Sequence, residues 1–275
     1  NSPSYIERTA DVAEAVRRIF DSKTFDNGTI CASEQSIITE ACIHTAVEAE
    51  LKARGGYFLS PEEADRLSRL ILRPNGTMNP VIVGKSALDI ARLAGLSVPG
   101  DVKVLIAPQK EVKKGNPFLR EKLCPILAYF VEDGWQSACE RCIQILSIEG
   151  VGHTMTIHSE DESVIREFAL KKPVSRLLAN PPAALGGVGA TTGLQPALTL
   201  GCGAVGGSAT SDNVGPMNLL NIRRVAWGLK EPEELLGGHA EKRAEPSRVT
   251  EKAASTLSRE EIESITRAVL ARLGR

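Results

Sequence analysis

Asp26-Asn27-Gly28-Thr29-Ile30-Cys31-Ala32-Ser33-Glu34-Gln35-Ser36-Ile37-Ile38 passes from a turn through a cysteine loop into a strand. Asn27-Gly28 is a strong turn signal, and Ser36-Ile37-Ile38 reads as a short strand. Upstream, residues 5–20 read as a helix with Ile6, Val12, Val16 and Ile19 on one face. Downstream, Ala41 to Arg54 reads as a second helix, closed by Gly55-Gly56. Helix, loop, strand and helix in succession are the unit of an α/β domain. Cys31 sits in the loop, where small neighbours (Ala32, Ser33) leave room for a substrate and backbone amides can crowd a sulfur. A free thiol titrates near ~8.5, so only about 3% is thiolate at neutral pH unless dipoles or cations lower that value. On the residues alone Cys31 is either a nucleophile or a small buried apolar group.

The same alternation continues outward. Ser60-Pro61-Glu62-Glu63 starts a helix with a capping serine, a proline at the first helical position and carboxylates at the positive dipole end. Pro80-Val81-Ile82-Val83 reads as a buried strand, followed by a helix from Ser86 to Ala94. Val102–Ile106 and Ile126–Phe130 read as strands, Trp135–Ile148 as a helix, and His153–His158 as a strand. A helix near Asp161–Leu170 leads to a strand at Ser175–Leu178. The expected fold is an α/β domain with a largely parallel sheet flanked by helices. From Asn180 to Gly215 the chain turns to Gly, Ala, Thr and Pro, an irregular segment of the kind that is usually functional. Leu219–Val225 then reads as an alternating strand, and residues 229–256 as a flexible linker. The expected organisation is a catalytic domain over 1–180, a glycine-rich return and strand over 181–228, that linker, and an amphipathic helix over 257–275.

Bulk properties narrow the function classes. The 275 residues give ample chain for a sizeable core. A net charge of -1 argues against a nucleic-acid partner, and 4% aromatic content against aromatic platforms for bases or sugars. No apolar run approaches the ~18 residues that span a bilayer, so no membrane partner is expected. Six cysteines, at 31, 42, 124, 139, 142 and 202, lack the density of a disulfide scaffold and fit a reducing cytoplasm. Cys139-Glu140-Arg141-Cys142 has metal-pair spacing but no second pair, so it reads as two buried helical cysteines, and no metal site is expected.

The run from Ser22-Lys23-Thr24-Phe25 through Gln35 resembles the active-site segment of aldehyde dehydrogenases, and Ile-Cys-Ala-Ser-Glu-Gln resembles their CoA-acylating branch. Gly152-His153-Thr154, Thr199-Leu200-Gly201-Cys202-Gly203 and Ser211-Asp212-Asn213-Val214-Gly215-Pro216 agree with that branch, in the family's order. The resemblance runs from Asn1 to about Gly228 and is to the propionaldehyde and acetaldehyde dehydrogenases of bacterial microcompartments. It implies NAD-dependent oxidation of a short aldehyde to an acyl-CoA, with Cys31 as nucleophile and NAD and coenzyme A as cofactors. It further implies an NAD-binding domain upstream of the cysteine, so that this chain is the C-terminal portion of a longer enzyme, and a homo-oligomer sheet that takes in the strand at Leu219–Val225. Glu121, in Arg120-Glu121-Lys122-Leu123-Cys124-Pro125, matches in part the family glutamate that accepts the nicotinamide ribose hydroxyls, with a cysteine where hydrolytic members carry glycine, against the alternative of a plain surface glutamate. His153 becomes a candidate base for CoA or the thiol, against the alternative of a hydrogen-bonded strand-edge histidine. The glycines at Gly186-Gly187-Val188-Gly189 and Gly201-Cys202-Gly203 would let backbone approach an acyl or pantetheine chain.

The tail carries its own signal. Ser258 and Glu261 form a capping-box pattern, Leu257 and Ile262 a staple, and Ile262, Ile265, Val269 and Leu273 one apolar stripe. An amphipathic helix after a flexible linker resembles the peptides that direct enzymes into microcompartments, with shell or cargo proteins as partners and the compartment lumen as location, against the alternative of a helix that docks on its own body. Two rival readings stand beside this one: a hydrolytic aldehyde dehydrogenase, and an assembly or packaging fragment without turnover.

Overall fold

The computed structural model describes residues 2–235 and 258–272. Residues 1–220 and 221–275 form two compact units. In the first, a seven-stranded sheet comprises β1 (Pro3–Ile6), β2 (Ser36–Glu40), β3 (Gly56–Phe58), β4 (Val104–Pro108), β5 (Ile126–Glu132), β6 (Gly152–His158) and β7 (Val174–Ala179). Their order is β3-β4-β5-β2-β1-β6-β7, and every adjacent pair is parallel. The α/β fold with its parallel sheet is as the sequence leads one to expect.

An all-parallel sheet must be covered on both faces, and the strand residues divide accordingly. Tyr5, Ile38, Leu105, Ala128 and Ile157 pack into one core with α3 (Pro61–Ile71), α4 (Ala87–Leu93), α5 (Trp135–Ile148) and α6 (Glu162–Lys171). Their neighbours Ile6, Ile37, Val104, Ile106 and Leu127 pack into the other, against α1 (Val12–Thr24) and α2 (His44–Ala53). The period-2 alternation of a strand places consecutive residues on opposite faces, so β1, β2, β4 and β5 feed both cores. Tyr5 shows the precision of the fit. Its ring stacks on Phe168 at 4.9 Å, and its hydroxyl donates to the buried Glu40 at 2.7 Å.

Several elements differ from the sequence reading. Residues 5–20 are not one helix: β1 occupies the first part, and Asp11 caps α1 through the Glu14 N–H at 3.1 Å. Pro80–Ile82 is a 3₁₀ turn capped by Asn79, because the Asn79 side chain accepts from Val81 N–H and draws the chain into a turn. Gly55-Gly56 does end α2, but Gly56 also opens β3, an edge strand of three residues. Ser60 and Glu63 make the expected reciprocal capping box, and α5 has the expected limits.

The expected strand at Leu219–Val225 is absent among the described residues. Pro216–Leu219 is a 3₁₀ turn, and residues 220–229 carry no ladder. A strand exists only by pairing, and this segment finds no partner among the described residues. In the second unit, Pro232–Leu235 (α8) and Arg259–Arg272 (α9) are helical. The capping box and staple expected of α9 involve Leu257 and the Glu261 side chain, and its stripe involves Ile265, Val269 and Leu273; all lie outside the described residues or side chains. So does most of the expected linker, with His239 in it. Among the described residues no helix is long and apolar enough to cross a membrane.

Candidate active site

Cys31 lies at the amino-terminal edge of the sheet, immediately before β2. The turn that carries it closes with Ser33 N–H donating to Ile30 O at 2.9 Å, and Ser2 Oγ donates to Cys31 O at 3.4 Å. Gln35 N–H then donates to Ser2 O at 2.8 Å, which ties the turn to the start of β1. The approach to the turn is tightly wound: Asp26, Asn27 and Gly28 have successive φ of 46°, 49° and 76°. At Gly28 a side chain is excluded twice, by that φ and by the Cys124 backbone, which a Cβ would meet at 3.1 Å. Open sheets usually bind ligands at the carboxyl ends of their strands. This one gathers its reactive groups at the opposite end.

The half-buried Cys31 thiol is pushed above its ordinary value, first by burial and second by the Glu121 carboxylate. Working in the other direction are the N–H groups of Cys31 and Ala32 and the Arg176 guanidinium. Those amides are in place to meet negative charge on sulfur, or on an oxygen bonded to a carbon attached there. Glu121 is half-buried in the loop before β5, and its N–H donates to Glu149 Oε2 at 2.6 Å.

His153 is the second residue of β6, on the same edge, with its N–H donating to Gly150 O at 3.1 Å. Its Nδ1 is buried without a partner. Burial, assisted by the Arg176 cation, pushes it down to about 4, so the ring is neutral at pH 7. Next along the strand, Thr154 meets α7 (Ala183–Gly187) at Gly187. A Cβ on Gly187 would lie 2.7 Å from Ala32 Cβ and 3.9 Å from Thr154 Cγ2. Glycine there lets α7 close directly over the cysteine turn. The structure thus brings Cys31 and Glu121 within electrostatic reach of each other and puts His153 on the same sheet edge, where the field of Arg176 reaches both it and Cys31.

Four charged residues escaped the sequence reading. Arg176, on β7, is only 4% exposed; its guanidinium donates to Gly201 O at 2.7 Å, while its Nε has no partner. It lines a cavity of about 410 Å³ with Ser175, Gln195, Asn213 and Asn218. Lys23 and Glu34 bracket the cysteine turn and are both fully buried. Burial pushes Glu34 up to about 7 and Lys23 down to about 8; Ser22 and the Ala183 N–H, the latter at 3.1 Å, hold the carboxylate. Lys122 is buried beside Glu121. No sequence signal marks these residues, because a charge inside a domain has the same letter as one in solvent. Cys139 and Cys142 are buried on α5, and Cys202 is half-buried near Arg176.

No family model matches the chain. The bifunctional aldehyde-alcohol dehydrogenase AdhE of Escherichia coli (strain K12) is 40% identical over 241 residues, 86% of this chain and 27% of that protein. A probable aldehyde dehydrogenase from Listeria monocytogenes EGD-e superposes with a TM-score of 0.82 at 61% identity, over 85% of this chain and 52% of that one. An acetylating aldehyde dehydrogenase from Geobacillus thermoglucosidasius gives 0.81 at 48% identity, over 84% and 51%. More distant is a propionaldehyde dehydrogenase from the Clostridium phytofermentans fucose utilisation bacterial microcompartment, at 0.69 and 25% identity, over 78% and 48%. The chain therefore spans about a quarter of the bifunctional relative and about half of these solved structures. Over about 85% of its own length, this chain belongs to the acylating aldehyde dehydrogenase family.

Proposed function

We propose that the chain is the nucleophile-bearing portion of an NAD-dependent enzyme that oxidises a short aldehyde, such as propionaldehyde or acetaldehyde, to its acyl-CoA. The observation that carries this is the Cys31 turn: a half-buried sulfur with two backbone N–H groups and a guanidinium beside it and a carboxylate facing it. A propionaldehyde dehydrogenase of Rhodopseudomonas palustris is known with bound propionyl-CoA, which supports CoA as acyl acceptor here. Glu121 fits a ribose: a half-buried carboxylate on a fixed backbone can accept both hydroxyls. The pyrophosphate would be held by an upstream dinucleotide-binding domain. The nicotinamide, when bound, supplies the hydride acceptor.

The chain's own residues do the rest. Cys31 thiolate adds to the aldehyde carbon, forming a C–S bond and leaving an oxyanion that the Cys31 and Ala32 N–H groups can meet. Loss of hydride from that carbon leaves a thioester on Cys31. The thiol of CoA then attacks, its sulfur takes the acyl group, and Cys31 leaves as thiolate. Neutral His153 accepts the CoA proton. Because burial keeps the His153 ring neutral and weakly basic, the proton moves as the new C–S bond forms.

Replacing Cys31 with Ala should abolish aldehyde-dependent NADH formation, and mass spectrometry of the aldehyde-treated enzyme should place an acyl group on the Cys31 peptide. Acylation at Cys202 instead would overturn the assignment. Replacing His153 with Ala should slow acyl transfer to CoA more than the NADH burst.

The same reading assigns α9 to packaging in a microcompartment, where a shell or cargo groove would receive its apolar side, and residues 219–225 to a homo-oligomer sheet. A relative from a microcompartment supports the first. The exposure of Leu219, Leu220 and Ile222 supports the second.

A further inference from the structure

The loop carrying Glu121 and the loop carrying Cys31 are joined at Lys122. Lys122 is fully buried, and its ammonium donates to Phe118 O at 2.8 Å, Arg120 O at 2.9 Å and Gln35 O at 3.3 Å. Its backbone N–H donates to Gln35 Oε1 at 3.2 Å. An ammonium has three N–H groups, and all three are used. Two of the acceptors lie in the lysine's own loop; the third lies just beyond Cys31. Gln35 is anchored in turn, with its N–H on Ser2 O at 2.8 Å and its carbonyl accepting Ala128 N–H at 3.1 Å. From the other flank, Glu149 holds Arg120 at 3.1 Å and the Glu121 N–H at 2.6 Å. Glu121 is the half-exposed residue between these two fixed points.

Burying an ammonium costs several kcal/mol unless its hydrogen bonds replace water. An apolar residue would fill the same space without that cost. What it would not supply is three directed bonds from one point, which fix two loops relative to each other. We propose that Lys122 is a positioning residue that holds Glu121 in register with Cys31, and so sets how far the nicotinamide ribose sits from the sulfur that carries the aldehyde. This rests on the function proposed above. Lys122 itself touches no reacting atom; it acts through Glu121. A displacement of about 1 Å between reacting partners can cost on the order of a hundredfold in rate, so a loosened register should be felt in hydride transfer first.

The test uses the enzyme with its dinucleotide-binding domain. Lys122→Met should raise the calorimetric Kd for NAD about tenfold. It should also raise the primary isotope effect on kcat with a 1-deuterated aldehyde, because hydride transfer becomes the slow step. The rate at which iodoacetamide alkylates Cys31 without cofactor should stay within about twofold of wild type. Where Lys122→Met does not fold, Gln35→Met is read by the same three measurements. It removes the acceptor of the Lys122 N–H, keeps the ammonium, and should move Kd about threefold. Unchanged Kd and isotope effect in whichever variant folds overturn the proposal. Equal losses in alkylation and Kd also overturn it, since they leave the lysine a purely structural part. If the wild-type enzyme does not oxidise aldehydes with NAD, the function itself is wrong; if it does and the variants are indifferent, only the role of Lys122 is.

Discussion

Gly187→Ala should disable the cysteine turn while leaving most of the fold intact. The added methyl would lie 2.7 Å from Ala32 Cβ, whereas two carbons are comfortable at about 3.5–4.0 Å. A gap of about 1 Å must therefore open between α7 and the turn. Ala32 is fully buried and in line with Leu200 and Thr154 beside Gly187, so the strain falls on the segment whose N–H supports the Cys31 sulfur. Overpacking of this kind costs about 1–3 kcal/mol, or roughly 2–12 °C in Tm for a domain this size. Misplacing the turn by up to about 1 Å should cost on the order of a hundredfold in acyl-CoA formation. Turnover and a thermal scan are read side by side, with iodoacetamide alkylation of Cys31 as a measure of the sulfur's reactivity. The decisive variant is the pair Ala32→Gly with Gly187→Ala, which moves the methyl across the contact instead of adding one. It should recover most of the lost rate, a coupling of at least about 1 kcal/mol between touching residues. If Gly187→Ala keeps wild-type turnover, or the double variant is no better than the single, the turn is not held by this contact.

Arg176→Met should remove the cation that draws Cys31 downward, so alkylation at pH 7 slows severalfold and its pH profile shifts to higher pH; an unmoved profile would remove Arg176 from the site. His158 is buried and neutral, pushed down to about 3 by burial from an ordinary value near 6.5. Its contribution to stability is complete above about 6.5 and is lost as pH falls toward 3. At pH 5 the loss is about 2 kcal/mol relative to pH 7, and His158→Gln should flatten that slope in urea titrations. Residues 257–275 fused to a fluorescent protein should move to microcompartment shells. Ile265→Glu should abolish that recruitment without altering turnover; lost turnover would mean that the helix serves the enzyme body.

The sequence was most legible where local chemistry and tertiary structure agree. The Ser60 cap, the limits of α5 and the strands expected at Ile126–Phe130 and His153–His158 follow from capping and apolar runs. Legibility failed where a residue's partner is remote. β1 carries only four residues, too few to show a period before the Asp11 cap, and it is a strand because β2 and β6 flank it. Val81 and Ile82 have the composition of a strand, but the Asn79 side chain bends them into a turn. Cys31, Glu121 and His153 could be put forward because their motifs are local. Lys23, Glu34, Lys122 and Arg176 were not, since only the folded chain shows them surrounded by protein.

The place of β1 in the sheet governs how the molecule can be made. It pairs with β2 on one side, but its other neighbour, β6, and the Phe168 ring that stacks on Tyr5 belong to a far later part of the chain. A ribosome adding about 5–20 residues per second needs roughly 6 to 24 s to pass from β2 to the end of β6. Throughout that interval, the strand destined for the middle of the sheet is a bare edge, open to pairing with another nascent chain. Slower translation lengthens that exposure, so yield of the soluble protein should depend on synthesis rate and on holdase chaperones more than on the stability of the finished fold.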